Sequence, residues 1–128
     1  MATETPDPAK VARQAAFRAG LSAESRAAAF LVARGYAIVA RRFKSPVGEV
    51  DIIARRGPEL LFVEVKARHR IDDAAASLTP RQRRRIVAAA EAWLADHPDD
   101  AMREISFDVV LVGRNGPPQH LPAAFDAT

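Results

Sequence analysis

The run Phe62-Val63-Glu64-Val65-Lys66 sets an acid and an amine two residues apart in otherwise apolar surroundings. Residues two apart on a strand share a face and lie roughly 6–7 Å from each other along the chain, so Glu64 and Lys66 project to the same side. Burying either charge unaided is costly. The two must pair, meet another polar group or bind an ion. A second acid stands nearby in Gly48-Glu49-Val50-Asp51, with Arg56-Gly57-Pro58-Glu59 turning the chain between the two segments. A hairpin centred near Gly57 and Pro58 pairs residues whose numbers sum to about 115, which sets Asp51 opposite Glu64 within a residue or so. Opposed carboxylates repel each other. A divalent cation removes that repulsion, and oxygen donors suit magnesium or manganese. The alternative is a structural ion pair, Glu64 with Lys66 or Asp51 with an arginine, which leaves the second acid on the adjoining strand unexplained.

Glu24 stands one turn before Ala27 and Ala28 and two before Leu31, on the apolar stripe at the start of a helix, and is expected to point toward the sheet. An acid there also favours the helix dipole. Beside Asp51 and Glu64 it becomes a candidate third acid, and Glu49, on Asp51's face but nearer the strand edge, is a secondary candidate. Arg81, Arg83, Arg84 and Arg85 crowd the start of a second helix, where positive charge opposes the dipole. Helix-end amides with arginine forks would make a phosphate site from Arg81, Gln82, Arg84 and Arg85, with Gln82 looking inward toward the sheet. A solvated basic face is the plainer account. His69, His97 and His120 lie in polar segments and read as surface residues. Asp108, inside an apolar strand, reads as a structural partner for an arginine, and Trp93 as core.

These side chains need elements to hold them. A helix is expected over Ser22 to Arg34, ending at Gly35. Strands follow at Tyr36–Phe43, Glu49–Ala54 and Leu60–Ala67, consecutive and antiparallel. The second and third carry apolar residues on both faces, as strands in the middle of a covered sheet do. Thr79 offers an N-cap and Pro80 a first helical residue for the stripe Ile86, Ala89, Ala90, Trp93 and Leu94. His97-Pro98 ends that helix. After an acidic linker, Ile105–Val112 is a last strand, parallel to a neighbour through a right-handed crossover. The order is α-β-β-β-α-β, an α/β fold with a central mixed sheet flanked by helices. Residues 20–112 form one domain, 1–19 a flexible N-terminal segment in which Ala9–Arg18 suits a short helix, and 113–128 a tail with three prolines. Arg68 to Leu78 is a polar connection.

A chain of 128 residues, 48% hydrophobic and 27% charged, suits one globular domain. The absence of cysteine excludes a disulfide framework and a thiolate metal site. The N-terminus lacks the apolar core of a secretory signal, and the longest apolar run, Ala27 to Ala33, is too short to cross a bilayer. A soluble cytoplasmic protein with no membrane partner is expected. Net charge is +3, and only Lys10, Lys44 and Lys66 among the basic residues are lysines. Arginine forks favour phosphate contacts and hence a nucleic acid partner, although compositional bias would also produce them.

The GEVD and FVEVK blocks resemble the D…ExK signature of the PD-(D/E)xK restriction-endonuclease-like superfamily, whose core order is the one read above. More narrowly, Glu24 with Ala27 and Leu31, Gly35-Tyr36, the same two blocks, Thr79-Pro80-Arg81-Gln82-Arg83 and Phe107-Asp108-Val109-Val110 resemble the YraN family of bacterial proteins. That likeness covers about Gly20 to Phe125. Two positions depart from it. Val50 replaces the superfamily's proline before the aspartate, and Arg42 stands where YraN-like sequences usually carry asparagine. By similarity to Holliday-junction resolvases of the superfamily, Glu24, Asp51, Glu64 and Lys66 fill the catalytic places. The resemblance implies an Mg²⁺- or Mn²⁺-dependent endonuclease acting on DNA, branched DNA included. Asp51, Glu64 and the Val65 carbonyl would hold the metal, Glu24 would order a water or second ion, and Lys66 would orient or deprotonate the water or stabilise developing charge. Chemistry on two strands would suit a homodimer. The alternative is a nucleic-acid-binding protein of the same fold that cuts nothing.

Overall fold

The computed structural model describes residues 22–67, 78–114 and 116–127. The N-terminal segment, its expected short helix, most of the polar connection and His69 lie outside these residues.

Ser22 caps the first helix, α1 (Ala23–Ala33), its hydroxyl accepting the Ser25 N–H at 3.1 Å. The helix stops where Gly35 takes φ +90, a conformation glycine reaches without a Cβ penalty. Three antiparallel strands follow, β1 (Ala37–Ser45), β2 (Gly48–Arg56) and β3 (Glu59–Lys66). Helix α2 (Pro80–Asp96) starts on a Thr79–Gln82 capping box with Pro80 in its first turn. It crosses over to β4 (Glu104–Leu111), which pairs parallel to β3. A fifth strand, β5 (Gln119–Phe125), adds antiparallel to β4, so the sheet runs β1-β2-β3-β4-β5. The expected acidic linker is a short 3-10 helix, Pro98–Met102. No helix among the described residues is long and apolar enough to cross a membrane.

Strand alternation divides the core between the two faces of the sheet. Ala27, Ala28 and Leu31 of α1 pack with Ile52, Ala54, Leu61, Val63 and Val110. Ile86, Ala89, Ala90 and Trp93 of α2 pack with Ile53, Leu60, Phe62, Phe107 and Val109. Val50 breaks the alternation. Two residues before Ile52, it should share Ile52's face, yet it packs with Ile53 on the α2 side. Asp51 sits at the switch, and the β2–β3 register ends beside it at Ile52↔Val63.

The far end of the sheet is closed by buried Asp100. Its carboxylate accepts Arg55 Nη2 at 2.7 Å, Arg103 Nε at 2.8 Å and Trp93 Nε1 at 3.0 Å, which compensates a charge that is only 2% exposed. Arg103 also reaches the Gly57 carbonyl at 2.7 Å, tying the β2–β3 turn to the start of β4.

The C-terminal segment departs from the expected tail because a buried acid holds it. Asp108, 1% exposed, takes no arginine among the described residues; it accepts the Ser106 hydroxyl, sits 2.5 Å from His120 Nε2, and accepts the Ala123 N–H at 3.0 Å. Two of these partners belong to β5. His120 is therefore not a surface residue, and His97 is likewise half-buried, its ring stacked 3.6 Å from that of Trp93. Removing the acid strands two polar groups of β5 without their partner. Asp108→Ala is expected to lower unfolding free energy by about 2–4 kcal/mol in urea titrations. An unchanged midpoint would show that β5 docks by other means.

Candidate metal centre

Strand directions gather the chemistry at one end of the molecule. β3 ends there at Lys66, β2 begins there at Gly48, and both helices present their N-termini there, since Glu24 of α1 touches the later part of β1 and Arg85 of α2 touches the β1–β2 turn. Gly48 makes that approach available, because a Cβ at this position would lie 1.9 Å from the Arg85 carbonyl oxygen. The glycine of the GEVD block is thus fixed by helix-to-turn packing.

Asp51 and Glu64 meet in the fork where β2 leaves β3. Asp51 Oδ2 accepts the Val65 N–H at 2.8 Å, replacing the backbone acceptor that β2 would otherwise supply. A strand residue's N–H and C=O face the same neighbouring strand, so the Val65 carbonyl also faces this fork. Val112 N–H bonds the Lys66 carbonyl on the other side of β3 at 2.8 Å, in keeping with that alternation.

Burial pushes the Asp51 acid above its ordinary range, against the lowering effect of the Val65 N–H. Glu64 is pushed up to about 8, first by burial and then by the Asp51 carboxylate beside it and a hydrogen bond to it. Lys66 acts in the opposite sense on both acids. Two half-buried carboxyls with one amine acting on both hold fewer positive than negative charges once ionised. That imbalance, with hard oxygen donors and no sulfur, fits a hard divalent cation.

The remaining expected residues lie around this pair. Glu24 is buried and near enough for its charge to raise Asp51, but its oxygens are taken by Arg42 Nε at 2.6 Å and Arg41 Nε at 3.4 Å. Among the described residues no three His, Cys, Asp or Glu side chains converge as a metal cage. Glu49 is exposed and pairs in register with Lys44. Gln82 does not look inward: it is exposed, and its Oε1 accepts the Thr79 N–H at 2.9 Å as part of the cap. Arg81, Arg84 and Arg85 are exposed on the first turns of α2, and Arg83 bonds the Leu78 carbonyl at 3.2 Å. The arginine pair on Glu24 was not foreseen. In the sequence Arg41 and Arg42 belong to a strand, Arg42 standing out only as a departure from the family's usual asparagine, and neighbouring strand residues ordinarily point to opposite faces.

Residues 23–112 match the model of an uncharacterised protein family, UPF0102. A UPF0102 protein of Rhodopseudomonas palustris strain BisB5 is 64% identical over 116 residues, 91% of this chain and 88% of the relative. Another, from strain HaA2 of the same species, is 60% identical over 125 residues, 98% of each chain. A UPF0102 protein of Bradyrhizobium sp. strain BTAi1 is 57% identical over 129 residues, 98% of this chain and 95% of the relative.

The raised pKa values of the two acids carry a stability signature. Above the ordinary carboxylate value of 4.5 the unfolded chain has released protons that the folded chain keeps on the acid pair until about pH 8. Stability of the metal-free protein therefore falls as pH rises through that window. The loss is expected to be roughly 1–3 kcal/mol, and Glu64→Gln should remove most of it in thermal melts across the range. Equal pH dependence in the two proteins would mean the carboxyls do not share a proton. Gly48→Ala should cost about 2–3 kcal/mol or more by driving the β1–β2 turn off α2, read as a lowered melting temperature; a melting temperature within a degree or so of the parent would contradict the close approach.

Proposed function

The chain belongs to the UPF0102 (YraN) family, and from the acid pair at the sheet fork we propose that it is a metal-dependent endonuclease that hydrolyses phosphodiester bonds in DNA. The observation that carries this reading is the meeting of Asp51 and Glu64, half-buried, mutually repelling and flanked by Lys66. One structural bond, from the Val65 N–H to Asp51, does not account for a second acid beside it, whose charge adds repulsion in a half-buried place.

Asp51, Glu64 and the Val65 carbonyl are the groups that would hold Mg²⁺ or Mn²⁺. When bound, such an ion supplies an acidified water and neutralises charge on the scissile phosphate. The protein's own contribution is positional. The Val65 N–H fixes one oxygen of the Asp51 carboxylate at 2.8 Å, and the same carboxyl shares a hydrogen bond with Glu64. Lys66 leaves the same face of β3 as Glu64 and brings a cation to the point where negative charge accumulates during attack on phosphorus. Arg81, Arg84 and Arg85, at the same end of the molecule, suit the backbone phosphates of a bound strand.

Plasmid, branched, flapped and single-stranded DNA incubated with Mg²⁺ or Mn²⁺ test the reading. Cleavage is expected from the parent chain, falling roughly 10²–10⁴-fold in kcat/KM with Asp51→Asn or Lys66→Ala. DNA binding without cleavage on every substrate and with either ion would leave a non-catalytic DNA-binding protein as the answer. Gel filtration in the presence of branched DNA tests the accompanying proposal that the chain works as a homodimer.

A further inference from the structure

Arg42 has a backbone conformation that its side chain does not favour. Its φ is +51, in the left-handed region that costs a residue other than glycine or asparagine roughly 1 kcal/mol or more. Its place in the sheet is next to the acid pair, since Arg41↔Ile52 and Phe43↔Val50 leave Arg42 opposite Asp51, and the two charges interact. The left-handed turn also accounts for an otherwise irregular pairing. Consecutive strand residues should project to opposite faces, yet Arg41 and Arg42 both reach Glu24.

Two guanidinium groups on one carboxylate leave a surplus positive charge. Arg41 is the more fully tied, because its Nη2 also donates to Ser25 Oγ at 2.8 Å. Arg42 contacts Glu24 through Nε, while 68% of its side chain remains exposed. An arginine held by Nε presents its paired Nη groups outward, the fork that matches two phosphate oxygens.

We infer that Arg42 is a phosphate contact for the nucleic acid backbone beside the acid pair, and that Glu24 is the positioning residue that aims it, not a third metal ligand. The inference rests on the nuclease reading for the identity of the anion. Glu24 already holds two arginines in ion pairs, so a cation there must displace them, whereas among the described residues no arginine forms an ion pair with Asp51 or Glu64. The strained φ keeps the arginine on the side of the sheet where Glu24 can hold it.

Equilibrium binding of a fluorescein-labelled DNA duplex, measured by anisotropy in Ca²⁺ over a range of salt concentrations, tests the contact. Arg42→Ala is expected to weaken binding about 5–10-fold at about 0.1 M salt and to reduce the slope of log K against log salt by about one. Arg42→Asn, whose side chain tolerates the left-handed backbone, should show the same loss with an unchanged melting temperature. Glu24→Gln should lower DNA affinity comparably while leaving Mn²⁺ affinity, measured by calorimetry, within about 3-fold of the parent. A parental salt slope in both Arg42 variants, or a loss of about 10-fold or more in Mn²⁺ affinity for Glu24→Gln, overturns the inference. Absence of cleavage by the parent chain defeats hydrolysis alone, because the salt slope still decides the contact; absence of any salt-dependent binding defeats both.

Discussion

Two carboxyl groups pressed together in a partly desolvated fork cannot both ionise without help, and the surrounding structure is arranged around that conflict. Asp51 and Glu64 are brought within hydrogen-bonding reach by a hairpin that stops pairing beside them. One backbone N–H, from Val65, stabilises the Asp51 charge; one amine, Lys66, acts on both acids. Neither is enough to bring Glu64 back to an ordinary acidity, so the fork keeps a proton into the neutral range.

The fork persists because the chain is anchored on either side of it. On one side, α2 seats its first turns on Gly48, where any larger residue would collide with the Arg85 carbonyl. This holds the β1–β2 turn toward the helix and draws Val50 to the α2 face, out of step with Ile52. On the other side, β3 stays paired to β4 through Lys66, so it cannot follow β2 away. At the opposite end, Asp100 ties Arg55 of β2 to Trp93 of α2 and to Arg103 ahead of β4. The strands are paired from Ile52↔Val63 to Arg56↔Glu59 and part beyond Ile52, where the two acids meet.

Charge is distributed with the same economy. Glu24, the acid of α1, is held by two arginines of β1, and the acid pair feels Lys66 and, at Asp51, Arg42, while Arg81, Arg84 and Arg85 add exposed positive charge to an end that already carries two helix N-termini. The acids of this end thus lie close to exposed arginines of β1 and α2.

Much of this was legible in the amino-acid sequence because it follows from local periodicity. The alternation in Phe62–Lys66 put Glu64 and Lys66 on one face, and the turn at Gly57-Pro58 set a hairpin register that the paired strands keep from Ile52↔Val63 to Arg56↔Glu59. Thr79 and Pro80 marked the start of α2, and the stripe through Trp93 marked its buried face. Long-range choices were not legible. Three prolines after Gly113 suggested a tail, yet a buried Asp108 that selects His120 instead of an arginine makes a fifth strand there. Gln82 was spent on its own helix cap, a local bond that competes with any inward role. The arginines on Glu24 depend on a left-handed residue in mid-strand, which period-two reasoning does not anticipate. Composition and spacing determined which side chains could meet; only packing of helices on the sheet decided which partners each charge keeps, because that choice is made by residues far apart in the chain competing for the same buried groups.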